Sequence, residues 1–231
     1  LFEPVHGSWP QAAGKNLAGA FWQPSVVIAD VGCLATLTPE QFADGCGEVV
    51  KHAVIADPEL FAELEKTPLT LELLNHDVAR VALIIARNID IKRAVVVADE
   101  RETNQRKLLN FGHSAGHAVE ACKHFELGHG NCVSIGMGII TRAAALHGIC
   151  DAELPGRIEE LCARHGLKTR CDLDADAVFA EALHDKKRAG DTIDLVIPHD
   201  IGLCSIDRTP LSTFHDLIAE GLGQKGDVSA C

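Results

Sequence analysis

The sequence predicts a mainly α-helical domain, with one short strand near its N-terminus and a small β-ribbon near its C-terminus. Helix start signals recur along the chain, each followed by apolar residues at helical spacing. Strand-like runs are few and short. Of the 231 residues, 47% are hydrophobic, which is enough to build a substantial buried core.

The N-terminal part of the chain is predicted to contain little regular structure. Residues 1–16 are rich in proline and glycine and are expected to form a loop, whereas residues 25–30 (SVVIAD) are β-branched and predict a buried strand. Helical structure is expected from Thr38, which is placed as an N-cap. Pro39 then occupies the first turn, and Gln41 is positioned for a capping box.

The remaining elements follow from apolar periodicity and from cap residues. Further helices are predicted over residues 42–55, 57–66, 77–98, 106–117, 133–146, 153–165, 174–183 and 210–222. The helix over 133–146 is apolar nearly all round, so we expect it to be the buried centre of the bundle. Residues 193–197 and 203–206, joined by PHDIG, predict an antiparallel ribbon.

Charge and composition exclude several classes of function. Lys and Arg number 21 against 33 Asp and Glu, a formal net charge of -12, which argues against nucleic acid or an anionic membrane surface as a partner. No apolar run reaches the roughly 20 residues that a membrane span requires. Nine cysteines without a C-x-x-C pair indicate small buried side chains in a reducing compartment rather than a zinc knuckle. We therefore expect a cytoplasmic protein.

Residues 106–130 (RKLLNFGHSAGHAVEACKHFELGHG) carry polar side chains where helix packing would require apolar ones. Four of them recur at the spacing of one helix face: Arg106, Asn110, His113 and His117. His129 follows in a Gly-His-Gly segment, where a flexible backbone could bring a third imidazole toward the first two. A lone histidine on a helix is usually structural, but this group favours a metal site.

A third protein ligand is expected from another part of the chain, because catalytic zinc commonly takes three. Glu48 is the candidate. It shares a helix face with Lys51, and the residues around the two are otherwise apolar. An exposed ion pair would normally lie on a polar helix face, and this segment has little of one. Glu48, His113 and His129 form a two-histidine, one-carboxylate set that suits zinc and tolerates cobalt or iron.

Cations and amides elsewhere in the sequence indicate the kind of substrate. The candidates are Lys51, Lys92, Arg106, Lys186, Lys187, Asn16 and Asn110. A metal ion with several cations suits an oxygen-rich, phosphorylated substrate, since charge-assisted bonds hold phosphate and carboxylate groups. His117, one helical turn beyond His113, would then be placed for proton transfer.

Six blocks of the sequence resemble the 3-dehydroquinate synthases, in order from about Gly14 to about Gly202. They are GKNLAGAFWQP, TLTPEQF, GEVVKHAVIADPELF, VADERETNQRKLLNFGHSAGHAVEA, HGNCVSIGM and DKKRAG. The resemblance implies the helical metal-binding domain of the dehydroquinate synthase-like fold. It also implies a carbon–oxygen lyase of the shikimate pathway, which uses NAD and a divalent metal to convert a seven-carbon 3-deoxy-heptulosonate phosphate into 3-dehydroquinate and phosphate.

The same resemblance assigns roles to individual residues. Metal ligands would be Glu48, His113 and His129. Substrate contacts would be Lys51, Lys92, Arg106, Asn110, His117 and one of Lys186 or Lys187, with Asn16 beside them. NAD contacts would be Lys15, Thr36, Leu37 and Gln41. Transient oxidation by NAD, phosphate elimination and an intramolecular aldol step would leave the protein mainly positioning and electrostatic tasks. The family commonly forms dimers, so a homodimer is one implied assembly.

Departures from the family pattern shape the domain assignment. No Gly-rich dinucleotide loop follows a strand in the N-terminal part, so residues 1–37 are interpreted as a remnant of the nucleotide-binding domain with its linker. Residues 38–231 would be the metal- and substrate-binding domain. Residues 1–15 instead resemble a segment of the β-decarboxylating dehydrogenases, and Asn131 stands where the synthases usually have Glu.

Two alternatives stay open at this point. The chain could be a non-catalytic metal-binding remnant or assembly module that keeps the helical fold. It could also be a relative of the metal-dependent alcohol and glycerol dehydrogenases, which more usually present an Asp with histidines to the metal. Glu48 and the intact NFGHSAGHA block argue against the second alternative.

Overall fold

The computed structural model describes residues 25–99, 105–184 and 190–224. These residues contain nine α-helices and one two-stranded sheet. The helices are α1 Pro39–Ala56, α2 Pro58–Lys66, α3 Leu71–His76, α4 Val78–Ala98, α5 His113–Cys122, α6 His129–Leu146, α7 Leu154–Arg164, α8 Ala175–His184 and α9 Leu211–Gly221. Two 3₁₀ helices, Val31–Thr36 and Gln105–Asn110, precede α1 and α5.

Helix α1 begins where its start signal predicts. The Thr38 side chain accepts a hydrogen bond from the Gln41 backbone N–H at 3.2 Å, and the Gln41 side chain accepts one from the Thr38 N–H at 3.0 Å. Each bond satisfies a backbone donor that the first helical turn leaves unpaired. The predicted capping box is confirmed. The Asp57 and Asp77 side chains cap α2 and α4 by accepting from the backbone N–H groups of Leu60 and Arg80.

Helix α6 is the buried centre of the fold, as its sequence predicts. Its described contacts are with α1, α5, α7, α9 and the sheet. Ile135, Met137 and Ile139 are at most 1% exposed, and Ser134 and Thr141 are fully buried. Both hydroxyl groups donate to carbonyl oxygens, so neither is left unpaired in the core.

The β-ribbon braces two parts of the helical bundle. Strands β1 Thr192–Asp200 and β2 Leu203–Pro210 pair antiparallel, with a bulge between Pro198 and Asp200. Gly202, in the turn between them, donates its N–H to the carbonyl of Val54 near the end of α1 at 2.7 Å. Lys107 on the second 3₁₀ helix forms an ion pair with Asp194 on β1 at 2.7 Å. The ribbon therefore ties α1 to the segment that precedes α5.

The predicted strand over residues 25–30 is wrong. These residues form no strand, and Val26 and Ile28 are 73% and 86% exposed. A strand requires a neighbour to accept its hydrogen bonds, and β1 and β2, the strands among the described residues, pair with each other. The β-propensity of residues 25–30 does not by itself provide a neighbouring strand. The short helix α3 was not predicted from the sequence.

None of the described helices combines the length and the apolar character that crossing a bilayer would require. Of the cysteines in this part of the chain, Cys46, Cys132, Cys150 and Cys162 are buried, as expected, and Cys33 is exposed. The described cysteines form no disulfide.

Candidate metal centre

Three imidazoles converge where α5 and α6 begin. His113 is the first residue of α5, His117 lies one turn later, and His129 is the first residue of α6. Their ring centroids lie 5.3 to 5.6 Å apart, and one ring nitrogen from each can be chosen so that all three lie within 4.8 Å of one another. Nitrogens at this spacing can share one metal ion.

A glycine breaks the helix that the sequence predicts through Arg106 and His117. Gly112 has a φ of +76°, which is strained for other residues, and a β-carbon there would lie 2.6 Å from the carbonyl oxygen of Val133. The prediction of one continuous helix is therefore wrong. The 3₁₀ helix ends at Asn110, the chain turns at Gly112, and α5 starts with His113. The turn separates the predicted polar stripe into two segments.

Glycines bring the helices of the site into close contact. A β-carbon at Gly47 would lie 2.7 Å from the carbonyl oxygen of Gly130, and one at Gly116 would lie 2.8 Å from that of Cys132. Backbones can approach this closely only where side chains are absent. Gly47 directly precedes Glu48, Gly116 precedes His117, and Gly130 follows His129. Glycine beside each candidate ligand was the sequence signal that could have located the helix contacts.

Glu48 on α1 faces this cluster. Its Oε2 accepts from the Lys51 ammonium at 2.6 Å, and Lys51 is only 2% exposed. Its Oε1 lies 3.6 Å from Nε2 of His113. This oxygen is buried and has no hydrogen-bond partner among the described residues. An unsatisfied buried carboxylate oxygen is costly, so its position requires an explanation.

The protonation state of His113 adds to the cost of leaving Glu48 Oε1 without a hydrogen-bond partner. Its Nδ1 lies 3.2 Å from the carbonyl of Phe111, which can only accept, so Nδ1 carries the proton and Nε2 presents a lone pair. Burial, reinforced by the charge of Lys51, lowers the pKa of His113 to about 3. Near neutral pH two acceptors, Glu48 Oε1 and His113 Nε2, therefore face each other. A cation between them would turn this repulsion into ligation.

Glu48 is charged in this setting. Burial alone would raise the pKa of its carboxyl, but the Lys51 ammonium, through its charge and its hydrogen bond, lowers that pKa below its usual range. Glu48 therefore offers a carboxylate oxygen and His113 a neutral imidazole nitrogen, the forms that a divalent metal binds. These residues fit the metal that the sequence predicts.

Glu120 is a site residue that the sequence reasoning missed. It lies on α5, is 5% exposed, and places Oε2 3.4 Å from Nδ1 of His129. A carboxylate on the far nitrogen of a histidine orients the ring and increases its basicity toward a metal. Glu120 lies seven residues after His113 on the same helix, at a spacing that could have indicated it.

The segment around His129 packs closely against α1. Gly128 and Gly130 both pack against Asp44 of α1 with no room for a β-carbon. The Asp44 carboxylate accepts from the backbone N–H and the side-chain amide of Asn131, at 2.9 and 3.2 Å. His129 therefore starts a helix whose first turn is tied to α1.

The other predicted substrate residues lie on neighbouring elements. Lys92 is half-buried on α4, and its charge contributes to lowering the pKa of His52 beside the site. Arg106 lies on the second 3₁₀ helix and donates its backbone N–H to Asp99 at 3.1 Å, while Asn110 ends that helix and is exposed. That 3₁₀ helix contacts α1 and α4. Asn16, Lys186 and Lys187 lie outside the described residues.

The predicted NAD contacts lie around the start of α1. Thr36 ends the first 3₁₀ helix and donates its hydroxyl to the carbonyl of Cys33 at 2.8 Å. Leu37 is partly buried against the core, and Gln41 belongs to the capping box. Thr36 and Gln41 thus make hydrogen bonds at or just before the start of α1. The NAD contacts of Thr36, Leu37 and Gln41 stay a prediction. Lys15 lies outside the described residues.

The profile of the 3-dehydroquinate synthase C-terminal family matches residues 45–188. The chain belongs to this family. The matched 3-dehydroquinate synthase C-terminal region contains Glu48, Lys51, Lys92, the second 3₁₀ helix and all three histidines.

Named relatives agree with this membership. The chain is 39% identical over 198 residues to a 3-dehydroquinate synthase of Acetivibrio thermocellus, a match covering 84% of this chain and 54% of the relative. It is 40% identical over 174 residues to one of Dehalococcoides mccartyi, covering 75% and 48%. The chain therefore spans about half the length of the curated 3-dehydroquinate synthases that it matches.

Two solved structures share the fold. A 2-deoxy-scyllo-inosose synthase complexed with carbaglucose-6-phosphate, NAD⁺ and Co²⁺ superposes with a TM-score of 0.74 at 21% identity, covering 93% of this chain and 61% of that one. A 2-epi-5-epi-valiolone synthase of Streptomyces hygroscopicus with NAD⁺ and Zn²⁺ bound gives 0.79 at 24% identity, covering 90% and 57%. The helical 3-dehydroquinate synthase-like fold predicted from the sequence is confirmed.

Proposed function

We propose that this chain supplies the metal- and substrate-binding half of a 3-dehydroquinate synthase. The observation that carries the proposal is the pair of facing acceptors, Glu48 Oε1 and His113 Nε2, 3.6 Å apart beside two further imidazoles. The geometry calls for a cation. Family membership and about 40% identity to named synthases favour this cyclase over the dehydrogenase and non-catalytic alternatives.

The proposed ligands are Glu48, His113 and His129. His117 also lies within reach of a shared ion, but it is exposed, whereas Glu48 holds a buried oxygen that has no partner among the described residues. Burial makes Glu48 the side chain that depends on the metal, and exposure leaves His117 open to a substrate. When bound, a divalent metal would polarise a hydroxyl or carbonyl oxygen of the substrate.

Around that metal the chain's own residues would bind and orient an anionic substrate. Lys51 is held in place by Glu48 Oε2 and is almost fully buried, so its charge acts in a poorly screened environment. We propose that Lys92, Arg106 and Asn110 complete the set on the α4 side. His117 would move a proton at the substrate oxygen. In this arrangement the protein contributes mainly positioning and charge.

We infer that the cofactors are NAD and zinc or cobalt. The support is that both structural neighbours carry NAD⁺ and a divalent metal, Co²⁺ in one and Zn²⁺ in the other. The substrate would be the 3-deoxy-heptulosonate phosphate of the shikimate pathway, and the enzyme would work in the cytoplasm, as a homodimer. The relatives' name supports the substrate assignment.

A chimera tests this proposal. The part of the Acetivibrio thermocellus synthase that this chain does not match is fused ahead of Gly14, so that Lys15 and Asn16 are kept. Phosphate release from the heptulosonate phosphate is then measured with NAD and zinc. We expect metal-dependent phosphate release that Glu48→Ala abolishes, because the variant loses a ligand. A folded, zinc-loaded chimera that releases no phosphate, or a Glu48→Ala chimera as active as its parent, would overturn the proposal.

A further inference from the structure

A buried polar pair joins α1 to α4 next to the candidate metal centre. His52 Nδ1 lies 3.0 Å from Oδ1 of Asn88, and the two residues are 4% and 7% exposed. Apolar residues such as Val81, Ile84 and Ile85 bury the rest of this face of α4. A polar pair in an apolar helix contact needs a reason, since leucines would fill the space without desolvating polar atoms.

The hydrogen-bond network fixes the orientation of both groups. Asn88 donates its side-chain N–H to the carbonyl of Ile84 at 2.8 Å, so the amide oxygen is the atom that faces His52. His52 must therefore donate from Nδ1, and its Nε2 presents a lone pair. That nitrogen is buried and has no hydrogen-bond partner among the described residues.

His165 shows what a purely structural histidine looks like in this protein. It is 3% exposed, as buried as His52, and both of its ring nitrogens are paired. Nδ1 donates to the carbonyl of Leu161 at 2.7 Å, and Nε2 accepts from the backbone N–H of Leu69 at 3.0 Å. His52 differs because only Nδ1 has a hydrogen-bond partner within the part of the chain that the structure describes. Core packing alone does not account for that choice of residue.

The position of the pair along the chain supplies the reason. His52 directly follows Lys51, and Asn88 lies one helical turn before Lys92, on the same face of α4. The two lysines are the cations that the proposed function places against the substrate. Burial and the charge of Lys51 lower the pKa of His52 most, and Lys92 lies close enough for its charge to lower that pKa as well.

We propose that the His52–Asn88 hydrogen bond is a positioning device that sets the separation of Lys51 and Lys92. The inference rests on the proposed function. The bond has one geometry, whereas apolar side chains would let α1 and α4 slide by a fraction of an ångström. A buried polar contact of this kind specifies helix register, and small misplacements of charged groups weaken substrate binding strongly.

The test measures dissociation constants for heptulosonate phosphate by calorimetry on the zinc-loaded full chain, with melting temperatures recorded in parallel. Asn88→Leu leaves the buried donor of His52 unpaired, so both stability and affinity should fall. The double variant His52→Leu with Asn88→Leu removes both polar groups and should recover stability. We expect its substrate affinity to stay about tenfold or more weaker than that of the unmodified chain. His52→Asn keeps an N–H donor near the position of Nδ1, so its substrate affinity should stay within about threefold of that of the unmodified chain.

The outcomes separate the two proposals. If the unmodified zinc-loaded chain does not bind the substrate, the proposed function fails. If it binds and the stable double variant binds equally well, the pair is merely structural and the positioning proposal is overturned. His165→Leu is the matched control, because it should lower the melting temperature and leave affinity unchanged. Should a His52 variant fail to fold, the affinity of Asn88→Leu relative to that control decides the question.

Discussion

Removing Glu120 should weaken metal binding without touching a ligand. Its carboxylate lies 3.4 Å from His129 Nδ1 and is 5% exposed, so water cannot readily replace it. Loss of such an orienting group typically costs about 10-fold to 100-fold in metal affinity. Because 3.4 Å is long for a charge-assisted bond, we expect the lower end for Glu120→Ala, about tenfold or about 1.4 kcal/mol. Glu120→Gln keeps an oxygen acceptor and should lose only about threefold.

Competition with a chelator of known zinc affinity measures the effect directly. Glu126→Ala is the matched control, because Glu126 is an exposed carboxylate in the loop that joins α5 to α6. Its affinity should stay that of the unmodified chain. If Glu120→Ala and Glu126→Ala bind zinc equally tightly, Glu120 does not orient His129, and the reasoning from the 3.4 Å contact fails.

Three further predictions concern stability. Arg142, whose side chain is 13% exposed, bonds a carboxylate of α7 and the last carbonyl of α9, so Arg142→Met should lose about 3 kcal/mol in urea unfolding. The exposed Arg157→Met control should lose at most about 1 kcal/mol, and equal losses would refute the difference. His124 has a φ of 52°, so His124→Gly should raise the free energy of unfolding by about 1 kcal/mol. Lys123, at a φ of −89°, is the control, and Lys123→Gly should not raise it. A change of the same sign in both variants would contradict this prediction. Burial lowers the pKa of His165 below its ordinary 6.5, so the unfolded state binds more protons below that pH and stability declines as pH falls from 6.5 toward the lowered value. His165→Leu should show a shallower decline between about pH 7.5 and about pH 5.5, and an unchanged slope would contradict the assignment.

Local signals in the sequence predicted the start of the helical domain well. The capping box at Thr38 and the aspartate caps of α2 and α4 involve residues within three positions of each other, so the sequence contains all the partners. The burial of α6 was also predictable, since a helix that is apolar all round can only lie inside. Glu48 could be singled out because its surroundings were too apolar for an exposed pair.

Predictions that depended on distant partners failed. Residues 25–30 read as a strand, but strand formation depends on a neighbour, which periodicity cannot supply. The break at Gly112 follows from the close approach of α6, with Met137 and Val133 occupying the space of a side chain. The position of His129 depends on Asp44, 85 residues earlier in the chain, which binds the segment that carries it. The spacing of Glu120 from His113 places both on one helix face, but its partner is the His129 ring of another helix, so the spacing alone did not assign its role.

Zinc content at equilibrium tests the central claim most directly. The unmodified chain, Glu48→Gln, His113→Ala, His129→Ala and Glu126→Ala are dialysed against the same zinc buffer, and bound metal is measured. We expect about one zinc per chain in the unmodified protein and in Glu126→Ala, and none in the three ligand variants. Equal zinc in all five proteins would contradict the claim that a metal ion joins Glu48 Oε1 to the imidazoles.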